Sequence, residues 1–574
     1  MAKAKLKFIT IKKIDVLKPI IYQLMPRTFT NFNETRQKNG SREENGCGTF
    51  KAIGPKVLQQ IKELGATHVW YTGVIRHATA EYNTPSIVKG KAGSPYAITD
   101  YYDVDPDLAV DQTKRMEEFE ALIRRTHKAG LFVIMDFVPN HVAREYKSVC
   151  KPQGTKDLGE GDHSEWAFSP LNNFYYITGE RFSPSFDIQG YEEFPAKVTG
   201  NDCFTAHPSV NDWYETVKLN YGVHYMGGGE KQFEPIPDTW QKMLQILNFW
   251  ARKGVDAFRV DMAEMVPIEF WRWVIPYMHS FFPELQFIGE CYNPDLYRSF
   301  LDAGFDYLYD KVGMYDYLRG ATSKNWPVSG ITGQWQSTDD IRHRMLYFME
   351  NHDEQRIASG FFCGRGRCAE PAMIVTATLG TNPVLIWAGQ ELGEKGMDSE
   401  GFSGMDGKTT IFDYWGVKSL QAWANKGKWD GKNLDEEQLE LREFYRRLLN
   451  IARDNRAVSE GLMYDLEYAQ GEGFDKHEEY AYIRKHGDEL LLFVLNFHDR
   501  ELPTTVRIPR EAFECLGQKE YSKAVAEDLL TGNLLTSVSP KGRSLGYIPF
   551  NSVEPIQLTL PAWTGVILKI TPKK

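Results

Sequence analysis

The chain has 574 residues, 42% of them hydrophobic and 13% aromatic, enough to bury a large core and to fill two or three domains. A formal net charge of −10 and a pI near 5.8 leave no basic footprint, which makes nucleic acid and anionic membrane surfaces poor candidate partners and favours neutral or polar ligands. No run of about 18 apolar residues occurs, so no membrane span is expected. The basic start MAKAKLKFITIKK is too poor in apolar residues for a signal peptide, which predicts a cytoplasmic protein or an exported one lacking its leader here.

From residue 17 to about 455, short β-rich runs alternate with helix-length amphipathic segments, the pattern of a parallel α/β fold. The strand candidates in chain order are PIIYQLMP, THVWYTGV, LFVIMDFV, DAFRVD, LQFIGE, FDYLYD, MLYFMENH and PVLIWAG. Eight such repeats predict a closed (β/α)8 TIM barrel. Helices are expected over 55–64, 114–129, 240–253 and 268–281, the first two stopped by Gly65 and Gly130. One interval breaks the rhythm. Asp136 and Asp261 are 125 residues apart where a repeat needs ~30, so roughly 90 residues must form an inserted subdomain on the rim. After LREFYRRLLNIARDN the pattern turns to strands and tight turns (YAYIRKHGDELLLFVLNF, TTVRIP, IQLTL, GVILKI), which predicts an antiparallel β-sandwich. The expected division is residues 1–141 with 237–456 as the barrel, 142–236 as the insertion after the third strand, and 457–574 as the C-terminal sandwich. Seven cysteines at irregular spacings point to a reducing compartment, and Cys363 and Cys368 are expected as two free thiols.

Asp261, Glu290 and Asp353 each close an apolar run that ends in a polar cluster, the reading of barrel-strand ends that carry chemistry. They lie 29 and 63 residues apart, about one and two β-α repeats of ~30 residues, so three carboxylates should share one rim. Arg259 stands two residues before Asp261 and points the same way. A guanidinium beside a carboxylate favours the ionised form, which suits a nucleophile, although an isolated Arg-x-Asp is more often a structural ion pair. Glu290, near that anion, should bind its proton more tightly, which suits a general acid. Two carboxyls ~5–5.5 Å apart are the arrangement for glycoside cleavage with retention. Asp353, beside His352, reads either as a helix N-cap or as a carboxylate that binds sugar hydroxyls near an oxocarbenium-like centre. DFVPNH adds Asp136, Asn140 and His141 at the third strand end; His141 and His352 both follow an asparagine and can donate to sugar hydroxyls. A metal-hydrolase reading is discounted because neither HxH nor HExxH occurs. Tyr96, Trp70, Tyr71, Trp213 and Tyr214 are candidates for stacking on sugar C–H faces, each weighed against a core-packing role.

Together these residues resemble the α-amylase family, glycoside hydrolase family 13. DFVPNH looks like its first signature, DAFRVDMAE its second, FIGE its third and FMENHD its fourth, all in order. The resemblance implies Asp261 as nucleophile, Glu290 as general acid/base and Asp353 as the transition-state carboxylate, with Tyr96, His141, Arg259 and His352 around the sugar being cleaved. KLN at 218–220 is similar to the fifth signature of neopullulanase-like and cyclomaltodextrinase-like members. Where typical α-amylases carry a calcium-ligating aspartate this chain has Lys218, and Met265 stands in place of a histidine. Asn140 is the metal-ligand position that is kept, so a structural calcium with Asn140 as a ligand stays open although the Lys218 cation opposes it, and a second ion would fall near Asn31 and Asn33. The chemistry requires no cofactor. Gly73 replaces the family's proline and Glu264 its lysine, which bears on product pattern.

The implied activity is hydrolysis, with retention, of α-1,4 bonds in starch, maltodextrins or related α-glucans, with an α-glucan or malto-oligosaccharide as the partner. Alternatives are a transglycosylase, an α-glucosidase or a neopullulanase-like or cyclomaltodextrinase-like enzyme. A non-catalytic glucan-binding protein is the remote reading, because such a protein would be expected to have lost a carboxylate.

Overall fold

The computed structural model describes residues 18–537 and 544–573; the basic start of the chain lies outside them. Eight parallel strands close into a barrel: β1 (Ile20–Leu24), β2 (His68–Tyr71), β3 (Phe132–Phe137), β4 (Ala257–Val260), β5 (Gln286–Gly289), β6 (Tyr307–Tyr309), β7 (Met345–Phe348) and β8 (Val384–Trp387), with β8 pairing back onto β1. Strand parity explains their apolar runs. Ile21, Trp70, Ile134, Ala257, Ile288, Tyr309, Leu346 and Leu385, one from each strand, fill an inner layer, while their neighbours, such as Tyr22, Val69, Met135 and Phe258, face the helices outside.

The helices fall where expected. Pro55–Leu64 and Ile268–Phe281 match the predicted spans, and Arg115–Lys128 and Asp238–Ala251 differ by a residue or two at the ends. Gly65 closes the first of them at φ 121°, and a Cβ there would meet Leu449 at 2.7 Å, so glycine is needed for both backbone and packing. Among the described residues no helix is long and apolar enough to cross a membrane.

Between β3 and β4 the chain forms an irregular subdomain of short two-stranded pieces, with His141–Ala143 pairing antiparallel to Thr216–Lys218. A second rim element was not foreseen. Ile75–His77 pairs antiparallel with Ile98–Val104; the whole of Ile98–Val104 is buried, so it shows no alternation to detect.

The C-terminal region holds an antiparallel sheet centred on Glu479–His486, Glu489–Asn496 and Thr564–Pro572, covered by a smaller sheet of Leu502–Val506 with Ile556–Leu560. The large sheet is buried on both faces. Ala481, Ile483, Leu492 and Val494 pack against the small sheet, while Tyr480, Tyr482, Leu491, Phe493 and Leu495 join the cluster that surrounds the barrel. That accounts for the unbroken run LLLFVL in an antiparallel strand. Cys363 and Cys368, expected as separate thiols, are instead joined; their Cα atoms stand 6.5 Å apart, within reach of a disulfide.

Candidate active site

One step nearer the rim than the inner apolar layer, the same strand parity turns polar: Gln23, Asp136, Arg259 and Glu290 stand two residues beyond Ile21, Ile134, Ala257 and Ile288. Asp261 continues the parity beyond Arg259. Register places Arg259 level with Asp136 and Ile288 on the flanking strands. Its buried guanidinium donates from Nη1 to Asp261 Oδ1 at 2.9 Å and to Asp136 Oδ1 at 3.4 Å, and from Nε to the Tyr309 hydroxyl at 3.2 Å. Nη2 lies 2.8 Å from Glu290 Oε2, an ion-pair contact without hydrogen-bond alignment. One cation thus serves three carboxylates.

Glu290 has two further donors. Met262 N–H reaches Oε2 at 2.8 Å and the Tyr292 hydroxyl reaches Oε1 at 2.6 Å. Met262 adopts a left-handed conformation, φ 43°, which costs a non-glycine residue about 1–2 kcal/mol; that turn directs its N–H at the carboxylate. Before Glu290, Gly289 is needed for close packing, since a Cβ there would sit 2.7 Å from Leu308.

Asp353 lies in a turn beyond β7, where Asn351 Oδ1 accepts from the backbone N–H groups of Asp353 and Glu354 at 2.9 and 3.0 Å. No helix follows, so the capping role does not hold. Its side chain is 40% exposed, against 8% for Asp261 and 4% for Glu290. His352 Nε2 is 3.0 Å from Asp353 Oδ2 and 2.5 Å from the Tyr96 hydroxyl, and Nδ1 is 2.8 Å from Gln23 Nε2. The Tyr96 ring also lies 5.5 Å from the Arg259 guanidinium. His141 is buried against Trp213, ring centres 5.3 Å apart. Burial, then the charges of Lys218 and Lys89, lower its pKa to about 3, so the ring is neutral and offers one donor and one acceptor.

The carboxylates differ in proton affinity. Burial raises Asp261 well above the usual carboxylate value; Arg259 opposes the rise, and Glu290, Asp136 and Asp353 add to it. The expectation that Arg259 simply holds Asp261 ionised is therefore corrected. The guanidinium is divided among three anions, while burial acts fully on Asp261. Burial pushes Asp353 up as well, but His352, Arg259 and Lys408 outweigh it and hold the group at about 2, in keeping with its open side chain.

Of the aromatic candidates, Trp70 is an inner-layer residue that donates to Asp136 Oδ2 at 3.1 Å, and Tyr71 faces outward with its hydroxyl on Thr126. Tyr214 packs on Phe186. Trp70, Tyr96 and Trp213 are the three beside site residues, Trp70 with its ring 5.5 Å from His352 and 5.3 Å from the Arg259 guanidinium. Gln23, Tyr292, Tyr309 and Met262 went unnamed in the sequence reading; only Gln23 left a signal, as a polar residue at an inward position of a strand.

The residues around Asn140 do not fit a calcium ion. Asn140 Oδ1 accepts from Lys218 Nζ at 2.9 Å, and the same ammonium lies 2.5 Å from Asp202 Oδ1. A fixed cation already sits among these oxygens and would repel a second. Asn31 Oδ1 accepts from Asn33 N–H at 3.1 Å and Asn33 Oδ1 from Thr35 N–H at 2.7 Å, so both oxygens serve the loop. Among the described residues, Asp100, Asp103 and Cys150 do bring ligand-type atoms together. Arg76 and Arg115 hold Asp103, however, and Arg115 Nη2 lies 3.3 Å from the Cys150 sulfur. The other departures are local: Gly73 N–H reaches Asp136 Oδ2 at 3.3 Å, which a proline could not do, and Glu264 accepts from Asn293 N–H at 3.0 Å just beyond Glu290.

The family description "Alpha amylase, catalytic domain" matches residues 23–282, a stretch that includes Asp136, His141, Arg259 and Asp261 and stops short of Glu290 and Asp353. The chain is 22% identical over 526 residues to α-amylase 2 of Dictyoglomus thermophilum, covering 90% of this chain and 73% of the relative. α-Amylase 3 of the same organism is 24% identical over 478 residues, covering 77% and 78%. Among solved structures, a maltogenic α-amylase from Thermotoga neapolitana, described as noncanonic, superposes with a TM-score of 0.62 at 19% identity, over 97% of this chain and 100% of that one.

Proposed function

Because this barrel belongs to the α-amylase family of glycoside hydrolases, we propose that the chain cleaves α-1,4-glucosidic bonds of starch, maltodextrins or related α-glucans through a covalent glycosyl-enzyme, with retention. The observation that carries this reading is the single guanidinium that joins Asp261 and Glu290 from neighbouring strands, with ionised Asp353 at the mouth above them. The productive state has the proton on Glu290 and the charge on Asp261.

Arg259 Nη1 takes Asp261 Oδ1, which leaves Oδ2 to attack the anomeric carbon. As that bond forms, the glycosidic C–O bond breaks and Glu290 gives its proton to the departing oxygen. Glu290, now a carboxylate, takes a proton from water; the resulting hydroxide-like oxygen attacks the same carbon and releases Asp261. Positive charge develops on the ring in both steps, and Asp353 is the open anion beside it. Tyr96, His141 and His352 are the groups assigned to bind the sugar.

Asp261→Asn tests the reading: release of reducing sugar from soluble starch should fall by several orders of magnitude, and undiminished release would sink it. Proton NMR of early product should show the α-anomer. Lys218, buried within KLN, favours a second reading, a neopullulanase-like or cyclomaltodextrinase-like enzyme. Product profiles on maltoheptaose, pullulan and cyclodextrin separate the two, and oligomers longer than the substrate would mark a transglycosylase.

A further inference from the structure

The proposed reaction asks Glu290 to give a proton in its first half and to take one in its second. Its two oxygens are not equivalent for that purpose. Oε2 faces Met262 N–H and Arg259 Nη2, each at 2.8 Å, and neither group can become an acceptor. The transferable proton therefore belongs on Oε1. The group that meets Oε1 is the Tyr292 hydroxyl, 2.6 Å away. A phenol can donate or accept. Burial, followed by the charges of Glu290 and Asp353, raises the Tyr292 pKa far above its ordinary value, so the hydroxyl keeps its proton. The ring packs against the inner layer of the barrel, so the protein core, rather than substrate, fixes where the hydroxyl stands.

We propose that Tyr292 is a positioning residue for Glu290: its hydroxyl holds Oε1 at the barrel mouth, favours the carboxylate, and so sets the pH at which the acid form is lost. This rests on Glu290 being the acid/base. The other titratable and charged groups around Glu290 are Arg259 on β4 and Asp261 just beyond it, Asp136 on β3, Tyr309 on β6, Asp353 beyond β7, and Cys291 with Glu264 on the adjoining turns. All of them remain when the tyrosine becomes phenylalanine. A hydrogen bond to the charged form of an acid lowers its proton affinity, and its removal raises that affinity.

The experiment uses the full chain with Tyr292→Phe and the pH profile of kcat/KM on maltoheptaose, whose sugar leaving group needs the acid. The alkaline limb should move up by about one pH unit, the expected effect of one hydrogen bond to a charged group. A residue that merely packs would change KM or thermal stability and leave the limb where it is. An unmoved limb in the active variant overturns the inference. The underlying assignment has its own control. Glu290→Gln should lose far more kcat/KM, which reports formation of the glycosyl-enzyme, on maltoheptaose than on a nitrophenyl maltoside, whose leaving group departs with little protonation. Equal loss on both substrates would overturn the role of Glu290, and with it the proposal for Tyr292.

Discussion

Lys218→Met is the perturbation that best probes how the inserted subdomain is held to the barrel. Methionine keeps much of the lysine stem and removes the ammonium. The side chain is only 2% exposed, and its Nζ is shared by Asn140 Oδ1 and Asp202 Oδ1. Without it the buried Asn140 oxygen loses its charged donor, a loss of about 1–3 kcal/mol. Asp202 is 42% exposed, so its freed carboxylate returns to water and adds at most about 1 kcal/mol. Removing the buried ammonium also removes its desolvation penalty, which offsets part of the loss. The net destabilisation should be about 1–3 kcal/mol. Because a chain of this size need not unfold in two states, the assay is a guanidinium midpoint read together with the rate of proteolysis within residues 142–236. The paired measurement is the wild type in EDTA, which should show an unchanged midpoint because Lys218 supplies the positive charge at this junction. A variant as stable as wild type, or a wild type that loses more than about 1 kcal/mol on chelation, would refute the argument that the ammonium takes the place of a metal.

Two further perturbations test the electrostatics and the assembly of the chain. Glu400 is 3% exposed, its Oε2 has no partner, and burial followed by the charge of Asp413 raises its pKa to about 9. Between the ordinary value of 4.5 and that one, the folded state holds the proton more tightly than the unfolded state. Stability therefore falls as pH rises, by ~1.4 kcal/mol per unit for this group. Glutamine does not titrate, so wild type should lose about 3–4 kcal/mol relative to Glu400→Gln between pH 5 and 8. A pH-independent difference in denaturant midpoints would count against it. Arg484 is buried and donates to the carbonyls of Leu379, Ala457, Val458 and Gly461 at 2.6–2.9 Å. Arg484→Met should destabilise by about 3–5 kcal/mol, because four carbonyls lose their donor at once; a thermal shift equivalent to less than about 1 kcal/mol would show that the contact is dispensable.

The barrel was legible because parallel strands buried on both faces leave apolar runs, and because the runs that end in Asp261, Glu290 and Asp353 break into polar clusters at the rim. Parity of side chains put Arg259 and Asp261 on the same side of their strand. The same parity turns Trp70 inward and Tyr71 outward on β2. What stayed hidden depends on contacts between distant segments. Met262 faces Glu290 only because the chain turns left-handed after Asp261. Arg259 reaches Glu290 only because β4 and β5 are neighbours at that register. The proton affinity of Asp261 follows from burial, which pattern does not display. Ile98–Val104 escaped because a strand enclosed on every side carries no period.

The C-terminal sheet, with one face on its own small partner and the other on the barrel, limits where the chain can be divided. Tyr480, Tyr482, Leu491 and Phe493 belong to the same apolar cluster as the barrel's outer shell, and the Tyr482 hydroxyl meets Thr378 Oγ1 at 2.6 Å. A boundary drawn near residue 457 divides the sequence but not the core. Exchange of this segment for an unrelated module would bare the barrel wall it covers, so the segment and the barrel stand or fall together.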